Sequence, residues 1–494
     1  MTGAAVLIVE ILGAKMLAPY LGTSHFVWTA QIAVTLLSLA TGYWFGGRLV
    51  DRGAQLGRLY LCILGAATYL AATVPIAERV AYASFRFSLP VASVLSSFFL
   101  FFVPLTLLAA VVPFLIRVLS QSLEGIGGLA GRLSAVSTSG SVLGTVLIGY
   151  VFVPHLATST TMLSLAAGLT LCALVYFVSW GRRARYGHAG LLLATLAVGV
   201  SSRAPGDQLK VRRNYEELAR QASPFGLVQV WRNRHTGYLA LSTDFLLQNN
   251  YDDQRHKSPD VFSYMLRSLA RQYGPEISDV LVIGLGIGVL PMAFALDGAR
   301  VDAVEINPVV ADFAARFFEF EPSWVNVHLA DGRQFLETTT RLYDVVVLDA
   351  FLGEGAPLHL MTVEAFQAVQ RHLRPDGVVL INSFGDAGTG KGFIVTALAK
   401  TLRRVFGNVR GYYVGNGNTF LVAANRAQLG HSEPVAVGEV HPEARAALAR
   451  GFANELTFRG DSGTILRDDY NPADFYDAKN QEAARRSLAF ALRR

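Results

Sequence analysis

Six apolar stretches fill most of the chain from Met1 to Ser202, each near the length of a bilayer crossing. They run approximately over residues 3–22, 26–47, 58–78, 90–116, 133–153 and 159–180. A hydrocarbon core of roughly 30 Å takes about 20 helical residues. Inside it the backbone has no water to bond, so a single crossing segment must be helical. Residues 1–202 are therefore expected to form a multi-pass α-helical membrane domain. A seventh run, Ala189 to Ser202, offers about 14 suitable residues, or roughly 21 Å of helix. It reads as a short span or as an interfacial helix. The first run has no basic leader and contains Glu10 and Lys15, which separates it from a cleaved signal peptide. Charges in a span need a partner or a protein interior. Five residues apart, these two share a face poorly. A role in packing against other helices is expected, with a transport pathway as the sharper alternative.

Basic residues between the runs suggest the orientation. Arg48, Arg52 and Arg58 cluster in one loop, and Arg182, Arg183 and Arg185 in another. Placing both inside puts the N-terminus inside and leaves the chain inside after the sixth span. If 189–202 does not cross, everything after it is cytoplasmic. Arg79 and Arg86 then fall outside and run against this assignment. Gly42, Gly46 and Gly47, and the small residues from Ser134 to Gly149, would allow close helix contact. No inverted repeat marks a typical transporter. Cys62 and Cys172 sit within apolar runs with no ligand spacing and read as small packed residues. The net charge of +6 is spread over loops, without the clustering that nucleic-acid binding needs.

From Arg203 the composition is that of a soluble α/β protein. Leu227 to Arg232 and Tyr238 to Ser242 alternate around the turn His235-Thr-Gly237, giving a small β region over 225–250. A helix is expected over 260–272. Strands at 279–283, 300–305, 325–328, 344–349 and 377–382 then alternate with helices at 289–297, 308–318, 332–338 and 363–372. Such alternation predicts a parallel sheet with helices on both faces and a ligand at the carboxyl ends of its strands. The expected divisions are 1–202, 203–275, 276–430 and a C-terminal extension, 431–494.

Asp279-Val-Leu-Val-Ile-Gly-Leu-Gly-Ile-Gly288 reads as a buried strand entering a glycine turn. Gly284, Gly286 and Gly288 would let the backbone approach a ligand. Glu305, 21 residues after Gly284, is placed to accept from a ribose diol. Asp331-Gly332 follows the third strand, where a carboxylate can accept from an adenine amino group or simply cap a helix. Asp349 ends the fourth strand, where it can take a proton from an attacking amine or steady a cation. Together these describe a pocket for an adenosyl group. A nicotinamide dehydrogenase is disfavoured, because the third glycine of that fingerprint is missing and Pro291 lies nearby.

These residues resemble the polyamine aminopropyltransferases related to spermidine synthase, over roughly residues 225–425. Gln248, Phe262-Ser-Tyr264, the glycine turn, Glu305, Asp331-Gly332 and the Asp349 strand carry the resemblance. Leu17 to Gly22, Val27-Trp28, Gly42 to Arg52 and Asp468 to Pro472 are similar to membrane-fused bacterial members. The resemblance implies a Rossmann-like methyltransferase/spermidine-synthase domain with a small N-terminal β region behind the membrane helices. It also implies a multi-pass inner-membrane protein with a cytoplasmic catalytic domain. In the family's pattern, Gln248 contacts the nucleoside, Glu305 holds ribose, Asp331 holds adenine, and Asp349 and Tyr264 are catalytic. The implied reaction moves an aminopropyl group from decarboxylated S-adenosylmethionine to a diamine and releases methylthioadenosine, with no metal. The expected partners are a small-molecule substrate (a polyamine in the family's case) and the lipid bilayer, with a homodimer as an option and no nucleic acid.

Three departures bear on that reading. Ile287 stands where the family carries an Asp that holds the aminopropyl ammonium. Leu352 replaces a second acid after Asp349. The segment from Gln248 to Tyr264 is longer than in soluble members. Unmet ammonium groups are costly to bury, and Glu354 or the pair Asp468-Asp469 are the candidate substitutes. Three alternatives stand beside aminopropyl transfer. One is cleavage of intact S-adenosylmethionine by a lyase without an amine acceptor, another is methyl transfer, and the third is nonenzymatic nucleoside sensing.

Overall fold

The computed structural model describes residues 1–22, 24–84, 86–120, 125–180, 214–274, 276–351, 357–385, 392–415, 417–426, 439–458 and 463–476. The chain divides into two compact units, Met1–Val211 and Arg212–Leu492. The expected seventh run at 189–202 and the basic Arg182–Arg185 segment lie outside the described residues.

In the first unit six helices are long and apolar enough to cross a membrane: Thr2–Leu21, His25–Asp51, Leu56–Ser84, Leu89–Leu119, Ile126–Phe152 and Thr158–Ser179. The fourth bends at Ala110, between Leu89–Ala109 and Val111–Leu119. The fifth ends in a π turn, Ile148–Phe152. Polar side chains inside the helices bond their own backbone. Thr35 donates to the Gln31 carbonyl at 2.9 Å, Ser38 to Val34 at 2.7 Å and Ser93 to Leu89 at 2.8 Å. Gly42 and Gly46 do allow close approach, to Thr106, Ala109 and Ala110, whereas Gly47 faces open space. In the small-residue run from Ser134, the contacts follow one line, with Ser137 against Gly3 and Gly144 against Ala4. Glu10 and Lys15 are both half-buried.

The second unit opens with an antiparallel sheet, β1 (Tyr215–Ser223), β2 (Gly226–Asn233), β3 (Leu239–Thr243) and β4 (Leu246–Tyr251), in that order. It is wider than the expected 225–250 because β1 is a half-exposed edge strand rich in charge. The larger sheet has the order β12-β10-β11-β9-β8-β5-β6-β7. Its centre is β5 (Asp279–Ile283), β6 (Arg300–Glu305), β7 (Asn326–Leu329), β8 (Tyr343–Leu348) and β9 (Leu373–Phe384), all parallel. Beyond β9 it turns antiparallel through β11 (Asn418–Ala424), β10 (Asn408–Tyr413) and the short β12 (Glu455–Leu456). The sheet is thus mixed, where the alternation predicted a parallel one. β5 is apolar on both sides, as a strand covered on both faces must be. Val280 and Val282 pack with helices Val261–Tyr273 and Val289–Leu296; Leu281 and Ile283 pack with helices Val363–Arg371 and Phe393–Leu402. Strand order reverses between β5 and β8, which opens a crevice at their carboxyl ends.

Candidate active site

The turn after β5 is pinned on both sides. The Gly284 N–H donates to the Val304 carbonyl at 2.8 Å, and the Asp349 N–H to the Ile283 carbonyl at 2.9 Å. Gly284 has φ +100°, and a Cβ there would overlap the Asp349 carbonyl oxygen. Gly286 has φ +54°, and its Cβ would lie 2.8 Å from Asn249 Oδ1. Left-handed backbone and close approach together require glycine at both positions. The turn borders a cavity of about 890 Å³ walled by β4, the ends of β5, β6, β8 and β9, and helix Pro442–Ala453.

Gln248, Gly284, Gly286, Glu305, Asp331, Gly332 and Asp349 all line this cavity. Gly288 does not; at φ +81° it precedes helix Val289–Leu296, and a Cβ would run into the Phe320 ring. Tyr264 is not on the wall either. It is 7% exposed, and its hydroxyl donates to the Ser258 carbonyl at 2.9 Å. Its neighbour Phe262 lines the cavity instead. Part of the long segment before it closes as a bridge between Asp252 and Lys257.

Glu305 is buried at the end of β6. It accepts from the backbone N–H of Leu285 at 3.1 Å and of Asn307 at 2.8 Å. Burial pushes its pKa up, against the pull of those N–H groups. Asp331 takes the helix-capping role foreseen for it, and its second oxygen meets a histidine. Oδ1 caps helix Gly332–Thr338 through Arg333 N (2.8 Å) and Gln334 N (3.1 Å), and Oδ2 lies 2.9 Å from His359 Nε2 on the cavity wall. Asp468 is used elsewhere, accepting from Thr362 Oγ1 at 2.6 Å and from Arg333 at 3.3 Å. Neither it nor Asp469 lines the cavity. Ile287 does, as an apolar side chain 2% exposed. Leu352 and Glu354 lie outside the described residues.

Asp349 follows β8, with Phe351 and Phe384 beside it on the wall, their rings 5.0 Å apart. Burial drives its pKa up to about 7, and one hydrogen bond, from Asn382 Nδ2 to Oδ1 at 2.8 Å, pulls it back. Asn382 is held in turn by Asn418 Nδ2 at 3.1 Å. Both asparagines are buried cavity residues, from β9 and β11. The sequence reading missed them, and no local motif marks either; only the strand pairing brings them to Asp349. A carboxylate that titrates near neutrality can take up and release a proton during turnover. If the ionised form is the active one, rate rises as pH passes about 7. Replacing Asn382 with Leu removes the bond that favours the carboxylate, so the acid limb of a pH–rate profile should move to higher pH.

The described wall also carries Asp260 and Glu443. It therefore has five carboxylates (with Glu305, Asp331 and Asp349) and neither Lys nor Arg. Such a wall repels anions and favours cations.

The profile of the spermine/spermidine synthase domain matches residues 260–417. A polyamine aminopropyltransferase of Vibrio vulnificus is 31% identical over 243 residues, spanning 45% of this chain and 78% of that protein. An N-terminal histidine N-methyltransferase of Emericella nidulans is 30% identical over 215 residues, 39% of this chain and 38% of its own length. Among solved structures, a probable spermidine synthase from Corynebacterium glutamicum aligns with 52% of this chain and 96% of its own, at 17% identity and a TM-score of 0.40.

Proposed function

We propose, because this chain belongs to the spermidine synthase-like family, that its soluble half moves an aminopropyl group from decarboxylated S-adenosylmethionine to an amine. One observation carries the choice of donor: among the described residues the cavity is walled by five acids and has neither Lys nor Arg. Intact S-adenosylmethionine adds a carboxylate that this wall repels. The decarboxylated form is cationic at both the sulfonium and the amine, which suits it.

Glu305 accepts from the ribose hydroxyls and Asp331 from the adenine amino group, while Gln248 contacts the nucleoside. Asp349 takes the proton from the acceptor ammonium. The freed nitrogen lone pair attacks the methylene carbon next to sulfur, and the carbon–sulfur bond breaks. Its electrons neutralise the sulfonium, leaving methylthioadenosine as a neutral thioether. The six apolar helices of the first unit support a bilayer location in this reading, with Arg48, Arg52 and Arg58 on the cytoplasmic side.

The test is mass spectrometry of products from the detergent-purified full chain. It is given the decarboxylated or the intact donor, with and without putrescine. Methylthioadenosine together with an aminopropylated amine, and only from the decarboxylated donor, is the expected result. S-adenosylhomocysteine would make the protein a methyltransferase, in line with its Emericella relative. Methylthioadenosine from the intact donor without an amine would make it a lyase.

A further inference from the structure

An acceptor with more than one amine carries an ammonium group that does not react, and such a group needs a carboxylate where it leaves water. Ile287, on the cavity wall, is apolar and offers none. Four of the five wall acids are already committed. Glu305 and Asp331 hold backbone N–H groups, and Asp349 is the proton acceptor. Asp260 accepts from Asn250, at 2.6 Å from its backbone N–H and 3.1 Å from its side-chain amide.

Glu443 differs. It stands in the first turn of helix Pro442–Ala453, exposed at the cavity rim, with the small residues Ala444 and Ala447 beside it on the wall. Oε1 accepts the Tyr238 hydroxyl at 2.7 Å, and no hydrogen bond of the described residues reaches Oε2. That bond, followed by burial, pushes the Tyr238 pKa up to about 12, so the hydroxyl remains a donor at working pH. The turn itself is fixed. His441 Nδ1 accepts the Glu443 N–H at 3.3 Å, and His441 Nε2 meets Asp252 at 3.1 Å in buried surroundings. Asp252 is also paired with Arg255 at 2.7 Å, and that exposed guanidinium feels the charge of Glu443 as well without a hydrogen bond to it.

We infer that Glu443 is the specificity-determining residue of the acceptor end: its carboxylate, oriented by Tyr238, anchors the unreacting ammonium of a diamine or longer polyamine. The inference rests on the aminopropyl-transfer reading above. The rim position leaves that ammonium partly in water, so the effect is graded, at about 5-fold in affinity.

The experiment compares full-length wild type and Glu443→Gln in detergent, with saturating decarboxylated donor. The acceptors are a diaminoalkane and a monoaminoalkane of equal chain length. KM for the diamine should rise about 5-fold. KM for the monoamine, kcat and the donor's KM should stay within about two-fold. Tyr238→Phe should give a weaker form of the same split. A folding defect would move both amines together, so the ratio isolates the charge contact. Equal change for both amines, or none, with wild type active, overturns the role of Glu443 and leaves the reaction standing. No aminopropylated product from wild type with either amine overturns the reaction reading, and this inference with it.

Discussion

Asp349→Asn should lower turnover by about 10³-fold while methylthioadenosine still binds within about two-fold of wild type. The amide is nearly the same shape, and its oxygen can still accept from Asn382, so the wall geometry persists. Proton uptake is what disappears. A second readout follows from the raised pKa. The ordinary carboxyl value is 3.8, and the folded value is about 7. Between them the folded state binds a proton that the unfolded chain releases, so wild-type stability falls as pH rises through that window. The penalty is complete above about pH 7 and absent below about pH 4. The amide variant carries no such penalty. Its melting temperature relative to wild type should therefore climb from pH 4 to pH 7 and then level off. Full activity in the variant would remove Asp349 from the chemistry, and a flat stability difference would show its carboxylate to be well solvated.

The second large effect is expected from Gly284→Ala. The methyl group meets backbone, the Asp349 carbonyl, in a left-handed conformation that alanine resists. Relief requires the glycine turn and the end of β8 to separate, and both the nucleoside wall and the Asp349 carboxylate move with them. Nucleoside affinity and turnover should each fall by at least about 100-fold. Gly298→Ala is the matched control: φ is +91° there, but the Cβ would meet open space. That variant should lose about 1 to 2 kcal/mol of stability from strain alone and keep its kinetics. Calorimetry with methylthioadenosine, steady-state rates and thermal melts separate the two. Equal behaviour of both variants would mean that the close approach at Gly284 has no functional weight.

Local pattern carried much of this architecture. The six apolar runs became helices, four of them within a few residues of their expected ends, while the third runs on to Ser84 and the fifth starts earlier, at Ile126; strands Asp279–Ile283 and Arg300–Glu305 fell where alternation put them. Long runs and βα alternation are short-range signals, and burial on one or both faces enforces them. What stayed illegible depended on distant pairing. β10 contains Arg410 and Gly411 and is defined by its antiparallel partner β11. Asn382 and Asn418 are ordinary polar residues in sequence until β9 and β11 pair. Glu443 lies 94 residues beyond Asp349, on a helix with no motif of its own. Tyr264 could be placed on its helix but not on a face of it, because the bridge Asp252–Lys257 sets where its hydroxyl goes.

The antiparallel extension of the sheet has a consequence for biosynthesis. Chains grow from the N-terminus, and domains fold as their parts emerge. The apolar helices of the first unit precede the glycine turn, which precedes Asp349. The segments that flank Asp349 and close the crevice, Asn418 on β11 and Glu443 on its helix, are translated well after it. A ribosome that has reached residue 410 holds a nascent protein with one side of the cavity unbuilt. A complete cavity wall therefore waits for residues 418 and 443, and a chain cut before Asn418 would carry Asp349 without the asparagine pair that holds it.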